Sequence, residues 1–244
     1  MKILGIIPAR GGSKGIPNKN LALLCGRPLL AYTADAVKQS RKLTRTIVST
    51  DDERIAECAK ALGLEVPFMR PAPLAADDAP MLPVVQHALE AMTKDGFDAD
   101  MVVLLQPTSP LRRGEHIDAA IDWLERTAAD SVVSVVEVPH QFNPTSVMRL
   151  DDGLLKPFLD GPTATRRQDK PRLFARNGPA VLAVRAAVVR GGSLYGERSW
   201  PLGMSAEDSL DVDSPWDLRL VEHVLAAMEG RPEGRPLRPS VRRT

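Results

Sequence analysis

The residues best suited to chemistry lie in a polar, glycine-rich loop at residues 9–21, directly after the first apolar segment of the chain. Its glycines and cations are Gly11, Gly12, Gly15, Arg10, Lys14 and Lys19. Glycines let a backbone approach a ligand closely, and cations beside exposed amides attract phosphate. The glycine spacing fits neither a Walker loop nor a dinucleotide fingerprint. The loop therefore predicts a polyphosphate site of another kind, with a solvated glycine turn as the alternative.

A second candidate site is the pair of aspartates Asp211 and Asp213, just before the last predicted helix. Residues two apart on an extended segment project to the same face, so their carboxylates would repel unless a cation lay between them. Hard oxygen ligands of this kind suit Mg²⁺. Alone, the pair is equally typical of a surface turn before a helix. Together with a phosphate loop it predicts Mg²⁺-dependent transfer from a nucleotide, because the metal neutralises a departing pyrophosphate.

Alternating strands and helices would position these two sites. The predicted strands are apolar runs at residues 2–8, 46–50, 101–105, 131–138 and 180–185. The predicted helices carry apolar residues at helical spacing, and the last begins at Ser214-Pro215 with a suitable N-cap. This alternation predicts an α/β fold with a Rossmann-like, mostly parallel sheet and helices on both faces.

The regular alternation stops within residues 139–176, which are rich in proline and charge. Such a stretch inside a compact α/β chain is usually a functional insertion, such as a lid or a dimer arm. We therefore predict a nucleotide-binding catalytic domain from residues 1–138 and 177–229, interrupted by an inserted arm. Residues 230–244 are rich in arginine and proline, and they predict a disordered basic tail.

The overall composition limits the class of protein. The 244 residues are 43% hydrophobic and 26% charged, and the net charge of +1 gives no global attraction to nucleic acid or anionic membranes. Two cysteines provide no zinc or disulfide framework, and the first apolar segment is too short for a signal peptide or a membrane span. These features predict a cytoplasmic protein that binds neither nucleic acid nor membranes.

Histidine chemistry is not expected from the sequence. His87, His116 and His223 lie on predicted helices without carboxylates at catalytic spacing, so surface or packing roles are expected. His140 lies in the predicted arm, where a structural role is also favoured. Neither a serine-nucleophile motif nor a histidine pair at metal spacing occurs.

Seven segments in chain order resemble the motifs of the acylneuraminate cytidylyltransferases: ARGGSKGIPNKNL (9–21), VSTDD (48–52), RPAPLAADDA (70–79), LLQPTSPLR (104–112), RRQDKP (166–171), RNG (176–178) and DSLDVDSPWDL (208–218). That family includes the CMP-sialic acid synthetases and is related to the CMP-3-deoxy-octulosonate synthetases. The similarity runs over residues 3–225. It implies a Mg²⁺-dependent enzyme of the nucleotide-diphospho-sugar transferase type that joins CMP from CTP to an acidic keto-sugar. It also implies a homodimer whose inserted arm reaches the partner subunit.

The resemblance implies a role for each matching residue. The triphosphate would be held by Arg10, Gly11, Gly12, Ser13, Lys14 and Lys19, and the cytidine by Asn20 and Arg70. The sugar would lie near Gln106, Thr108, Ser109, Arg167, Gln168, Asn177 and Gly178, and Arg112 would brace the loop rather than touch substrate. The catalytic group would be Arg10, Lys14, Asp211 and Asp213, with both aspartates binding Mg²⁺. The acceptor's carboxylate would pair first with Arg167.

Two departures from the family pattern bear on the acceptor. Residues 140–146 contain no lysine where sialic acid enzymes carry one in the arm, and Ala175 stands where some members have arginine. Either Arg149 or Lys156 substitutes, or the acceptor differs from N-acetylneuraminate. The alternatives are the same fold acting on 3-deoxy-octulosonate or another acceptor, and a nucleotide-binding module without turnover. A nicotinamide-dependent oxidoreductase is disfavoured by the missing dinucleotide fingerprint.

Overall fold

The computed structural model describes residues 1–159, 166, 168 and 170–229, so Arg167 and the predicted tail lie outside the described residues. The strands are β1 (Ile3–Pro8), β2 (Leu23–Leu24), β3 (Arg27–Pro28), β4 (Arg45–Ser49), β5 (Met101–Leu104), β6 (Ser131–Glu137), β7 (Met148–Asp151), β8 (Leu154–Pro157), β9 (Phe174–Arg176), β10 (Leu182–Arg185) and β11 (Ser199–Met204). The α-helices are α1 (Leu29–Gln39), α2 (Glu53–Ala61), α3 (Met81–Lys94), α4 (Gly114–Arg126), α5 (Ala186–Arg190) and α6 (Pro215–Glu229). Within the described ranges, no helix combines the length and the hydrophobicity of a membrane span.

The main sheet has seven strands in the order β11-β6-β10-β5-β1-β4, with β9 pairing on β6. β1 runs parallel to its neighbours β4 and β5, and β11 runs parallel to β6. β10 runs antiparallel to β5 and β6, and β9 runs antiparallel to β6. The predicted mostly parallel sheet is confirmed. The two antiparallel strands add a feature that an apolar run cannot reveal, because it carries no information on strand direction.

Helices cover both faces of this sheet, as predicted. α1, α2 and α4 pack on one face, and α3 and α5 pack on the other. In β1, Ile7 packs into the first core and Ile6 into the second, because successive side chains of a strand point to opposite faces. Both side chains are fully buried, and burial of an isoleucine contributes about 1.5–3 kcal/mol. The sheet is therefore a rigid platform for the loops at its edge.

A third, smaller core joins α6 to the loop after β1 and to the start of α1. Its buried members are Ile16, Leu24, Leu29, Leu111, Val212 and Val221. Ile16 belongs to the glycine-rich loop, and Val212 separates the two aspartates of the second candidate site. This core therefore fixes the two candidate sites relative to each other.

The predicted arm at residues 139–176 contains a β-hairpin that forms its own two-stranded sheet from β7 and β8. The hairpin turns at Asp152-Gly153, where φ is 49° and 79°, as expected for this dipeptide between strands. Leu150 lies opposite Leu155 across the hairpin, and both side chains are exposed. β9, at the end of the same stretch, joins the main sheet instead.

Candidate active site

The two candidate sites meet at the carboxyl ends of neighbouring strands. β1 and β5 are parallel and paired, with Ile6 opposite Leu104, so the loops that follow them leave the sheet side by side. Ligands of open α/β sheets bind at this edge. The cavity between the loops measures about 330 Å³ and is lined by Pro8, Arg10, Ser13, Lys14, Gly15, Lys19, Asn20, Arg70, Met81, Gln106, Pro107, Thr108 and Asp213. Nine of these thirteen residues were predicted as site residues.

The glycine-rich loop packs closely against two other loops. A Cβ atom on Gly15 would lie 2.2 Å from the backbone oxygen of Asp213, and one on Gly11 would lie 2.8 Å from Oδ2 of Asp52. Gly12 differs, because a Cβ atom there would meet no described atom within 4 Å. The Gly11 amide donates to Oδ1 of Asp51 over 3.0 Å. Two of the three glycines are thus required by close packing, and Gly12 leaves space at the loop surface.

The three cations of the loop are paired with carboxylates. Nη1 of Arg10 lies 2.6 Å from Oδ1 of Asp77, and Nζ of Lys14 lies 2.9 Å from Oδ2 of the same residue. Nζ of Lys19 lies 2.8 Å from Oδ1 of Asp213. All three cations line the cavity, so an anionic ligand there would meet positive charge.

Asn20 and Arg70, expected on the cytidine side, are both buried and line the cavity. Nδ2 of Asn20 donates to the backbone oxygen of Arg10 over 2.9 Å. The Arg70 guanidinium donates through Nε to Oγ of Ser49 over 3.0 Å and through Nη2 to the backbone oxygen of Ser49. Burial lowers the pKa of Arg70 to about 10, against the opposing charge of Asp51, so it stays protonated at neutral pH. Both side chains therefore fix the cavity wall at the ends of β1 and β4.

The aspartate pair lies on a segment held from both sides. The Val212 amide donates to the backbone oxygen of Thr108 over 2.8 Å, and Oγ of Ser109 donates to Oδ1 of Asp211 over 3.1 Å. Burial raises the pKa of Asp211, and repulsion from Asp213 raises it further. Asp213 is the more exposed of the two aspartates. Asp213 lines the cavity, and Asp211, which is held by Ser109, is not among the residues that line it.

The start of α6 fixes the backbone of Asp213. Oδ2 of Asp217 accepts hydrogen bonds from the amides of Asp213 and Ser214, over 3.1 and 2.7 Å. The Asp217 amide in turn donates to Oγ of Ser214 over 3.3 Å. This reciprocal arrangement satisfies the free amides at a helix start. It confirms the predicted N-cap and places Asp213 at the mouth of the cavity.

The chemistry of this donor set fits a divalent cation. Carboxylate oxygens are hard ligands, and a cation between Asp211 and Asp213 would relieve their repulsion. Among the residues that the structure describes, no group of three or more His, Cys, Asp or Glu side chains could hold a metal by itself. A Mg²⁺ ion at the pair would therefore complete its coordination with phosphate oxygens and water, as Mg²⁺ at nucleotide sites usually does.

The predicted sugar side is brought together only in part. Gln106 and Thr108 line the cavity, and Ser109 is buried beside Asp211. Gly178 has a φ of +116°, and a Cβ atom there would lie 3.2 Å from Oγ of Ser109. Asn177 is buried outside the cavity lining, where Nδ2 donates to Oγ of Ser209 and Oδ1 accepts from Ser134. Through Ser209, Asn177 therefore holds the segment that carries the two aspartates.

Two predicted sugar-side residues lie in the arm. Gln168 is exposed and does not line the cavity. Arg167 lies outside the described residues. Their roles toward a sugar therefore stay predictions.

Arg112 was expected to brace the site, and its contacts do so. The guanidinium is buried, and Nη1 donates to the backbone oxygens of Gln106 and Ala180 over 2.9 and 3.0 Å. Nη2 donates to Oγ1 of Thr33 on α1. Burial lowers the pKa of Arg112 to about 9, against the attraction of Asp211. One cation thus joins the loop after β5, the start of β10 and α1.

A polar network that the sequence did not predict connects α4 to the aspartate segment. Nη1 of Arg113 lies 2.6 Å from Oδ1 of Asp208, and the Arg113 amide donates to Nδ1 of His116 over 3.0 Å. Nε2 of His116 lies 3.7 Å from Oδ2 of Asp208. His116 is 1% exposed, and burial lowers its pKa to about 4, so it is neutral at physiological pH. The packing role expected for His116 agrees with this, but its carboxylate partner lies too far along the chain for sequence spacing to reveal.

The chain is similar to known proteins over most of its length. The model of the cytidylyltransferase family matches residues 4–179. The chain is 36% identical to CMP-N,N'-diacetyllegionaminic acid synthase of Legionella pneumophila, over 92% of this chain and 97% of that protein. It is 34% identical to the N-acylneuraminate cytidylyltransferase of Escherichia coli, over 90% of this chain but only 51% of that protein.

A similar fold occurs in a solved structure of CMP:2-keto-3-deoxy-manno-octonic acid synthetase in complex with CTP. The TM-score is 0.68 at 20% identity, and the match covers 93% of this chain and 100% of that one. At this level of identity the likeness supports the fold alone.

Proposed function

Because the chain belongs to the cytidylyltransferase family, we propose that it transfers CMP from CTP to an acidic 2-keto-3-deoxy sugar of the nonulosonate type and releases pyrophosphate. The Legionella and Escherichia coli relatives are both named as enzymes that attach CMP or a cytidylyl group to such a sugar acid. The observation that carries the proposal is the cavity of about 330 Å³, which is lined by the cations of the glycine-rich loop together with Asp213. That arrangement suits a triphosphate beside a metal-binding carboxylate.

In this reaction the cations of the glycine-rich loop neutralise the triphosphate. Arg10 and Lys14 balance the charge of the β- and γ-phosphates, and Lys19 lies nearer the carboxylate pair. The anomeric hydroxyl of the acceptor attacks the α-phosphorus in line with the departing pyrophosphate. Most of the rate enhancement comes from positioning and charge neutralisation, because phosphoryl transfer needs little covalent chemistry from the protein.

The residues after β5 are proposed to orient the acceptor. Gln106 lines the cavity and its backbone oxygen accepts a hydrogen bond from Arg112, so the loop that presents it is fixed. Arg167 is proposed to pair with the acceptor's carboxylate, as expected from the sequence. The sugar hydroxyls and the carboxylate would thus meet polar groups from two different segments.

We propose that Asp211 and Asp213 hold Mg²⁺ during this reaction. When bound, the metal would neutralise phosphate charge and lower the pKa of the attacking hydroxyl. The protein's own contribution is to hold the carboxylates in place through the Ser109 hydroxyl, the Thr108 backbone and the cap of α6.

The expectation of a cytoplasmic location stays a prediction.

We also propose that the arm joins two copies of this chain. One face of the β7–β8 hairpin is wholly apolar, because the cross-strand pairs on it are Met148 with Pro157 and Leu150 with Leu155. Leu150 and Leu155 are 75% and 69% exposed. The opposite face carries the ion pair of Lys156 with Asp151 at 2.7 Å. An amphipathic hairpin outside the main sheet requires a partner for its apolar face, and a second copy fits the homodimer that the family resemblance implies.

The acceptor is best identified by direct assay. Purified protein, CTP and Mg²⁺ would be incubated with N,N'-diacetyllegionaminate, pseudaminate, N-acetylneuraminate, its deaminated analogue and 3-deoxy-octulosonate, and CMP-sugar formation would be measured by mass spectrometry. We place N,N'-diacetyllegionaminate first, because the Legionella synthase matches over nearly its whole length. One CMP-linked nonulosonate product would establish the reaction. A product with 3-deoxy-octulosonate alone would show that the acceptor is an octulosonate and not a nonulosonate. The absence of a product with every acid would contradict the proposal.

A further inference from the structure

Asp77 forms ion pairs with Arg10 and Lys14, the two cations that are proposed to bind the β- and γ-phosphates. Its Oδ1 lies 2.6 Å from Nη1 of Arg10, and its Oδ2 lies 2.9 Å from Nζ of Lys14. Hydrogen bonding from Lys14, followed by that from Arg10, lowers the pKa of Asp77, so the carboxylate is ionised at neutral pH. One carboxylate therefore bridges both cations.

The segment that carries Asp77 borders the cavity at both ends. Arg70, which precedes it, is fixed to the end of β4, and Met81, which follows it, begins α3. Both residues line the cavity. None of the residues from 71 to 80 is buried. A segment with so few buried contacts can move at low cost in free energy, whereas its two ends are held.

We propose that Asp77 is a built-in competitor for the triphosphate, which must displace its carboxylate from Arg10 and Lys14 on binding. The proposal rests on the proposed function, because it takes the triphosphate of CTP as the displacing ligand. Exposed ion pairs are weak, and the Lys14 side chain is 79% exposed, so several phosphate charges outcompete one carboxylate. Asp77 thus reduces the repulsion between the two cations until a triphosphate binds, and it selects for ligands whose phosphates reach both.

Asp78 provides a matched control, because it is also exposed and lies next to Asp77. Asp77→Asn and Asp78→Asn remove the same charge one residue apart, but only Asp77 bridges Arg10 and Lys14. Calorimetry would give the Kd of CTP, inorganic tripolyphosphate and cytidine for the wild type and both variants. Tripolyphosphate tests the cations without any dependence on the base or the sugar.

The expected result is that Asp77→Asn binds CTP and tripolyphosphate about three- to tenfold more tightly than the wild type, the effect of losing two exposed ion pairs. Its affinity for cytidine should change less than about twofold, and Asp78→Asn should match the wild type throughout. Equal effects of the two variants, or weaker binding by Asp77→Asn, would overturn the proposal. Failure of the proposed function would be distinct, because the same titrations with ATP, GTP and UTP would then show a wild type that binds tripolyphosphate but does not prefer CTP to the other nucleotides.

Discussion

The backbone oxygen of Asp213 lies so close to Gly15 that a Cβ atom at residue 15 would come within 2.2 Å of it. No real side chain tolerates such a contact with a backbone atom, so any substitution must push the aspartate segment away from the glycine-rich loop. Glycine at this position is therefore a requirement for the distance between the predicted metal carboxylates and the predicted phosphate cations.

Gly15→Ala should lower kcat by about 100-fold, because a shift of roughly 1 Å at a reacting centre costs that much. Steady-state kinetics of pyrophosphate release would measure it. Gly191→Ala is the control, since a Cβ atom there would lie 3.3 Å from the Ala187 oxygen, far from the site. Equal activity of the two variants would show that the Gly15 contact does not position Asp213.

Replacing Arg112 should destabilise the whole protein. Arg112→Met removes the donor to the backbone oxygens of Gln106 and Ala180, and it leaves buried polar groups unpaired. We expect a loss of about 3 kcal/mol in the free energy of unfolding, measured by urea titration. Arg126→Met is the matched control, because the Arg126 side chain is 76% exposed and should change stability by less than about 0.5 kcal/mol. A loss below about 1 kcal/mol for Arg112→Met would contradict the bracing role.

His116 should make stability depend on pH. Its folded pKa is about 4, against 6.5 for an unperturbed histidine. Burial lowers this pKa most, and the charges of Arg113 and Arg112 lower it further, whereas Asp208 and Glu115 act in the opposite direction. The unfolded chain therefore takes up the proton first, so stability is complete above pH 6.5 and falls as the pH drops toward 4. The loss should approach about 3 kcal/mol at the acid end.

His116→Asn tests this pH dependence, because asparagine keeps an acceptor for the Arg113 amide but does not titrate. Urea titrations between pH 7 and 5 should show a falling free energy of unfolding for the wild type and a nearly flat one for the variant. Parallel curves for the two proteins would show that His116 is not the titrating group.

The apolar face of the arm predicts the oligomeric state. Light scattering should give the wild type the mass of two chains, and Leu155→Asp should give the mass of one, because a carboxylate would be buried in the interface. Leu23→Asp is the control, since Leu23 is 61% exposed on β2, outside the arm. A monomeric wild type, or a Leu155→Asp variant that remains a dimer, would refute the second copy as the partner of this face.

The sequence predicts those parts of the site that depend on local pattern. The loop with Arg10 and Lys14 follows a continuous apolar run, and both are properties of adjacent residues. The cap formed by Ser214 and Asp217 is likewise local, and the structure contains it. Such features depend on neighbouring residues alone, so they can be predicted without knowledge of the tertiary structure.

Features that depend on contacts between distant segments could not be predicted in this way. Asp77 forms its ion pair with Arg10, and Asp208 its ion pair with Arg113, only when the fold brings the distant segments together. β11 escaped prediction because Pro201 interrupts its apolar pattern, although proline is tolerated at the edge of a sheet. The turn of the β7–β8 hairpin is an exception, because Asp152-Gly153 is a local signal for a hairpin that the sequence itself contains.

The most direct test of the account is pyrophosphate release by the wild type and Asp213→Asn, with CTP, Mg²⁺ and a nonulosonic acid. The wild type should release pyrophosphate only when all three are present and should prefer CTP to ATP, GTP and UTP. Asp213→Asn should lose at least about 100-fold in kcat, because the charge that would hold the metal is gone while the shape is kept. Asp98→Asn, which removes an exposed carboxylate paired with Arg190, should retain wild-type activity. Full activity in Asp213→Asn, or equal release from all four nucleotides, would contradict the account.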